Sequence, residues 1–106
     1  MSLFDFLKAP DINQGVKEYR AVSGGVLLDV RTPEEYRGGH IPGSKNVPLQ
    51  TIDKVGVVVE NKDTPVYVYC RSGGRSHQAA DALRQMGYGN VKNIGGISAY
   101  SGEVEY

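Results

Sequence analysis

The 106-residue chain has one cysteine and no tryptophan, and its 12 basic and 12 acidic residues give a formal net charge of zero. A single cysteine excludes an intramolecular disulfide and suits a reducing compartment, so we expect the protein in the cytoplasm. No basic tract suggests a nucleic acid partner. The apolar runs are too short to span a membrane, and no secretory signal is visible. One cysteine and two histidines at scattered positions match no metal-ligand pattern.

Stretches typical of strands alternate with stretches of helical spacing, which predicts an α/β domain with a mainly parallel sheet. The length predicts that residues 1–106 form one domain. The N-terminal residues 1–10 are predicted as a short strand or an apolar clip. Further strands are predicted at 26–30, 46–49, 66–70 and 91–94. Helices are predicted at 12–22, after Thr32 up to Gly38, at 51–59 and at 76–86, although the valines of 51–59 would also suit a strand. Gly95 and Gly96 are expected to turn the chain into a short final helix through 97–100.

The stretch from Val66 to Ser76 reads V-Y-V-Y-C-R-S-G-G-R-S, which predicts a strand, a tight loop and the start of a helix. A loop that enters a helix leaves backbone N–H groups without internal partners, and glycines let these groups turn toward one point. With the helix dipole, they should lower the pKa of the thiol of Cys70. Arg71 and Arg75 add positive charge and donors that suit an oxyanion. The sequence therefore predicts a thiolate that receives an anionic group.

The alternative is that Cys70 is a small buried residue with no chemistry. A structural thiol does not need two arginines, paired glycines and a following helix, so this alternative is the weaker one.

Three segments carry a family resemblance. C-R-S-G-G-R-S with its following helix, L-L-D-V-R-T-P-E-E-Y-R-G-G-H-I-P-G-S-K-N-V-P-L and N-I-G-G-I-S-A-Y resemble the motifs of rhodanese-like domains, which are sulfurtransferases. The resemblance implies a three-layer α/β domain in which helices cover both faces of a mainly parallel, five-stranded sheet. It also implies that Cys70 carries a sulfane sulfur and needs no cofactor.

Loop length distinguishes this chemistry from a related one. Cysteine phosphatases and arsenate reductases resemble one another in a Cys-x5-Arg loop, whereas here only four residues separate Cys70 from Arg75. A shorter loop makes a smaller cradle, which suits one sulfur atom better than a tetrahedral oxyanion. Sulfur transfer is therefore favoured over dephosphorylation.

In this hypothesis Cys70 is the nucleophile and its sulfur lies exposed at the floor of a shallow bowl. The donor is a small anion such as thiosulfate, and the acceptor is cyanide or a thiol, including that of a small redox protein. A sulfur carrier or regulatory module that acts only with a partner protein remains the alternative function. The residues expected to bind the donor are Arg71, Ser72, Gly73, Gly74 and Arg75.

Asp29 and Arg31 end a predicted strand beside the loop. They either orient the loop and its arginines or form a structural ion pair, for instance Arg31 with Glu35, and the structural interpretation is favoured. His40 is expected to support a turn and His77 to lie exposed on a helix, and neither is assigned to the chemistry. Tyr100 is placed in the core by default, or at the edge of the pocket.

Overall fold

The computed structural model describes residues 10–106, so the N-terminal strand or clip predicted at 1–10 lies outside the described residues apart from Pro10. One sheet contains four parallel strands in the order β2-β1-β3-β4. This confirms the α/β class, with four strands in the described part where five were predicted. The strands are β1 (Val26–Asp29), β2 (Lys45–Asn46), β3 (Val66–Cys70) and β4 (Val91–Gly96).

Helices connect these strands close to the predicted positions. They are α1 (Ile12–Ala21), α2 (Pro33–Arg37) and α3 (Gly74–Gln85), with 3₁₀ helices at Leu49–Val57 and Ile97–Ala99. The helix predicted at 51–59 is thus a 3₁₀ segment, and it is kinked at Thr51, where φ is −122° and ψ is 28°. Among residues 10–106 no helix is both long and apolar enough to cross a membrane.

Side-chain caps fix where α1 and α2 begin. The carboxylate of Asp11 accepts hydrogen bonds from the backbone N of Asn13 (3.0 Å) and Gln14 (3.4 Å). At α2, Thr32 Oγ1 accepts from the backbone N of Glu35 (3.2 Å), and the Glu35 carboxylate accepts from the backbone N of Thr32 (3.1 Å). This reciprocal capping box turns the Glu35 side chain back toward the start of its helix.

The two faces of the sheet form separate cores because side chains alternate along each strand. Val68 and Cys70 pack in one core with Leu83 of α3, and Tyr69 packs in the other with Val16 of α1. Helices therefore cover both faces, and Cys70 lies on the face covered by α3.

Strand β4 runs two residues further than predicted, and its last two residues, Gly95 and Gly96, pair with Tyr69 and Cys70 after a register shift. We predicted that these glycines would turn the chain. Instead, a Cβ at Gly96 would lie 2.5 Å from the Cα of Ser72 and would collide with the Arg71 carbonyl. Glycine is needed here because the cysteine loop packs directly on the strand backbone.

Candidate active site

Cys70 is the last residue of β3, and α3 begins at Gly74. The first turn of α3 thus forms the second half of the loop, two residues earlier than the helix was predicted to start. Gly73 caps this helix in a left-handed conformation with φ of 105°, which a side chain would strain. The short connection brings the helix N-terminus back to the end of the strand, close to the thiol.

The Cys70 sulfur accepts a hydrogen bond from the backbone N of Gly73 (3.0 Å), and Ser76 Oγ lies 3.4 Å from it. Burial by itself raises the pKa of the thiol, but the Ser76 hydroxyl and the backbone N–H groups of Ser76, Gly73 and Ser72 outweigh it. The net effect is a Cys70 pKa below the ordinary value, because these donors stabilise the thiolate. The loop amides therefore point toward the sulfur.

The sulfur is less accessible than expected. Cys70 is only 1% exposed and packs in the core on the α3 face, so the expectation of an exposed sulfur at the floor of a bowl is wrong. The loop backbone packs against Gly96, and the Arg71 carbonyl accepts a hydrogen bond from the backbone N of Ser98 (3.1 Å).

The side chains of Ser76 and Asn93 contact each other and the Gly73 carbonyl of the cysteine loop. We did not predict either as a site residue. Ser76 is 0% exposed, and its Oγ lies 2.7 Å from Asn93 Oδ1 and 3.1 Å from the Gly73 carbonyl. Asn93 Nδ2 donates to the same carbonyl at 3.3 Å, and Asn93 Oδ1 accepts from the backbone N of Gly95 at 3.1 Å. The available signal was a polar residue within a predicted apolar strand.

Arg75 does not reach across the loop as a free cation. Its guanidinium donates two hydrogen bonds to the carboxylate of Glu35, from Nη1 to Oε1 at 2.7 Å and from Nη2 to Oε2 at 2.9 Å. The two side chains are 32% and 29% exposed. Arg75 lowers the pKa of Glu35 to about 2, more than burial raises it. The backbone and hydroxyl of Thr32 add to the lowering.

The other predicted donor-binding residues lie at the loop surface. Arg71, Ser72 and Gly74 are exposed. Within residues 10–106 the Arg71 guanidinium forms no hydrogen bond or ion pair. A Cβ on Gly74 would meet no atom within 4 Å, so open space adjoins this side of the loop.

Asp29 and Arg31 form a buried ion pair with each other, with Nη2 and Oδ2 2.7 Å apart. The example of Arg31 paired with Glu35 is therefore wrong, because Glu35 binds Arg75. Arg31 Nη2 also donates to the carbonyl of Gly39 at 2.7 Å, so the pair holds the turn that follows α2. No hydrogen bond joins either side chain to residues 70–75 in the described part of the chain.

The two histidines lie apart from the sulfur. The ring of His40 stacks on Tyr36 at 3.7 Å, and its Nδ1 lies 2.8 Å from the Tyr36 carbonyl oxygen. His77 is exposed, with Nε2 3.5 Å from Asp81 Oδ2. Tyr100 packs on the α1 face and lines a cleft between α1 and residues 100–102. In the described residues, no group of three or more His, Cys, Asp or Glu could hold a metal ion.

Comparison with known proteins adds evidence independent of this geometry. The family model described as Rhodanese-like domain matches residues 10–103. The chain is 41% identical to thiosulfate sulfurtransferase PspE of Escherichia coli over 71 residues, which cover 66% of this chain and 68% of that protein. It is 36% identical to the putative sulfur carrier protein YrkF of Bacillus subtilis over 80 residues, or 74% of this chain and 43% of that protein.

Solved structures agree with these matches. The structure described as rhodanese with anions from E. coli superposes with a TM-score of 0.72 at 35% sequence identity. The match covers 76% of this chain and 96% of that one.

Proposed function

The chain belongs to the rhodanese-like domain family of sulfurtransferases and sulfur carriers, and on this premise we propose that it transfers a sulfane sulfur through a persulfide on Cys70. The hydrogen bonding of the Cys70 sulfur carries this proposal. The same donors that lower the thiol pKa would also bind the negative terminal sulfur of a persulfide. We place the protein in the cytoplasm, where its single thiol would stay reduced.

The first step takes sulfur from an anionic donor such as thiosulfate. The Cys70 thiolate attacks the outer sulfur, a new S–S bond forms, and the bond to the sulfonate group breaks. Its electron pair leaves with sulfite. The products are the Cys70 persulfide anion and sulfite, so charge and atoms balance without an oxidant or reductant.

The second step regenerates the thiolate. Cyanide attacks the terminal sulfur of the persulfide and leaves as thiocyanate, or a thiol takes the same sulfur as its own persulfide. The chain has one cysteine, so no internal thiol can release the sulfur. The acceptor must come from outside, and the thiol of a small redox protein is a suitable class.

The loop supports this chemistry better than phosphate hydrolysis. Four residues lie between Cys70 and Arg75, and the guanidinium of Arg75 is bound to Glu35. A phosphate monoester would need that guanidinium for its oxygens.

The test is thiocyanate formation from thiosulfate and cyanide by the wild type and by Cys70→Ser. We expect turnover in the wild type and none in Cys70→Ser. Hydrolysis of an aryl phosphate that is lost in Cys70→Ser, with no thiocyanate formed, would overturn the proposal in favour of a phosphatase.

A sulfur carrier that acts only with a partner is the second candidate. Burial of Cys70 favours it, because a partner could stabilise a conformation in which the sulfur is accessible to a donor. Turnover of free thiosulfate without any partner protein would exclude the strict carrier. Persulfide formation only with a partner present would favour it.

A further inference from the structure

The contact between Glu35 and Arg75 joins two distant parts of the chain at the edge of the cysteine loop. The residues are 40 positions apart, and they connect α2 to the first turn of α3. Both terminal nitrogens of Arg75 are used, each with its own carboxylate oxygen, at 2.7 and 2.9 Å. This two-point geometry gives Arg75 a carboxylate partner that belongs to the protein itself.

The occupied guanidinium affects which donors the loop can accept. Thiosulfate is a dianion, and its sulfonate oxygens would bind a guanidinium through the same two nitrogens that Glu35 occupies. An oxyanion that uses these two nitrogens must therefore displace a tethered carboxylate, and any oxyanion that approaches Arg75 meets the negative charge of Glu35. A persulfide donor presents a terminal sulfur with no sulfonate oxygens, so it has no need of this guanidinium.

We propose that Glu35 is a specificity-determining residue that holds Arg75 away from free oxyanion donors, so that the loop takes sulfur more readily from a persulfide than from thiosulfate. This inference rests on the proposed function of Cys70. In the favoured reaction the thiolate attacks the outer sulfur of R–S–SH and R–S⁻ leaves with the electron pair of the broken S–S bond. The proton stays on the terminal sulfur of Cys70–S–SH. Glu35 acts through Arg75 and touches neither donor nor thiol.

The sequence offers a well-matched pair of variants. Glu35→Gln removes the charge but keeps a side chain that capping boxes accept at this position, so α2 should remain capped. Glu34→Gln makes the same chemical change at the neighbouring, exposed residue of the same helix turn. Within residues 10–106 the Glu34 side chain makes no ion pair, so this control reports on net charge alone.

The first experiment compares kcat/KM for thiosulfate with kcat/KM for 2-hydroxyethyl persulfide, a persulfide donor that carries no carboxylate. We expect Glu35→Gln to raise kcat/KM for thiosulfate about threefold to fivefold, mainly through KM, since a charge-assisted two-point contact becomes available to the donor. The value for 2-hydroxyethyl persulfide should change less than about twofold, because that donor has neither a sulfonate nor a carboxylate to bind the guanidinium. Glu34→Gln should resemble the wild type with both donors.

Adding Arg75→Met to Glu35→Gln should remove the gain with thiosulfate, because the gain depends on the released guanidinium. An equal gain in Glu34→Gln, or a gain that survives Arg75→Met, would mean that net charge acts and would overturn the inference. An unchanged thiosulfate KM in Glu35→Gln would also overturn it.

A second experiment needs no sulfur transfer. Cys70 is the one cysteine, so alkylation rates report on it directly. Glu35→Gln should raise the rate with the anion iodoacetate relative to neutral iodoacetamide severalfold, and Glu34→Gln should leave the ratio unchanged. An unchanged ratio in Glu35→Gln overturns the inference even if the wild type transfers sulfur. A wild type that forms no thiocyanate and no persulfide refutes the proposed function, whatever the ratio.

Discussion

Two carboxylate–guanidinium pairs lie near the cysteine loop, and they differ in almost every property. Asp29 and Arg31 are two residues apart and only 0% and 7% exposed. They bind each other, and Arg31 also donates a hydrogen bond to the carbonyl of Gly39 in a turn. Glu35 and Arg75 are 40 residues apart and about one third exposed, and they join two helices. The first pair is enclosed by the fold, whereas the second can exchange its partner with solvent or a ligand.

Because the two pairs differ in burial, only one of them can take part in function. A buried pair cannot lose one member without leaving a charge in a low-dielectric interior, so it is fixed. Separating the two members of a half-exposed pair costs little free energy, because water and salt screen both charges. Removing Glu35 would therefore free Arg75 for an anionic donor at little cost in stability, whereas removing Asp29 would leave Arg31 buried without a counter-charge.

The largest expected effect comes from breaking the buried pair. Asp29→Asn leaves the Arg31 guanidinium buried without a counter-charge and should lower the free energy of unfolding by about 3–5 kcal/mol. Urea unfolding measures this change through the transition midpoint. Asp53→Asn, at an exposed acid, should change it by less than about 0.5 kcal/mol. If Asp29→Asn lowered the free energy of unfolding by no more than about 1 kcal/mol, the Asp29–Arg31 and Glu35–Arg75 pairs would contribute similarly to stability.

An intermediate effect is expected at Ser76, whose hydrogen bonds, unlike either ion pair, reach the sulfur. Ser76→Ala removes a buried hydroxyl from Asn93 and from Cys70 and should cost about 1–2 kcal/mol of stability. It should also raise the pKa of Cys70, because the hydroxyl contributes most among the groups that lower it. The pH dependence of iodoacetamide alkylation measures this pKa, with Ser98→Ala at an exposed serine as the control. A profile identical to that of the wild type would assign the lowered pKa to other groups.

The smallest effect concerns the half-exposed pair and depends on pH. The pKa of Glu35 falls from 4.5 to about 2 in the folded protein, so the ionised form stabilises the fold. This contribution is complete above about pH 4.5 and is lost as pH falls toward 2. Because solvent screens the pair, we expect wild type to exceed Glu35→Gln by no more than about 1 kcal/mol at pH 7.

The stability difference between wild type and Glu35→Gln should shrink between pH 4.5 and pH 3, as followed by urea unfolding. Glu34→Gln provides the charge-matched control, and its difference from the wild type should show no comparable change. A difference for Glu35→Gln that stays constant or grows on acidification would contradict the assigned pair.

Local chemistry made much of the fold and the loop predictable. Asp11 and Thr32 indicate where helices begin, because their side chains accept hydrogen bonds from backbone N–H groups within three residues. The run of β-favouring residues into Cys70, followed by glycines, indicates a strand and a loop whose amides converge. These features depend on neighbours in the sequence.

The features that the sequence did not reveal depend on how distant elements pack. The partner of Arg75 is set by the relative placement of α2 and α3, and Asn93 meets Ser76 because β4 pairs with β3. Gly96 resembles a turn glycine in sequence. Only the pairing of β4 with β3 shows that it lies in a strand and contacts the backbone of the cysteine loop. The thiol was expected to be more exposed because its burial depends on the packing of α3 residues such as Leu83 against this face of the sheet.

The central claim is that Cys70 carries a sulfur atom, and mass spectrometry of the protein after incubation with thiosulfate tests it most directly. We expect a gain of one sulfur atom that maps to the Cys70 peptide, disappears on addition of cyanide, and never forms on Cys70→Ser. A wild-type mass that stays unchanged with thiosulfate and with cysteine persulfide would show that Cys70 does not carry sulfur.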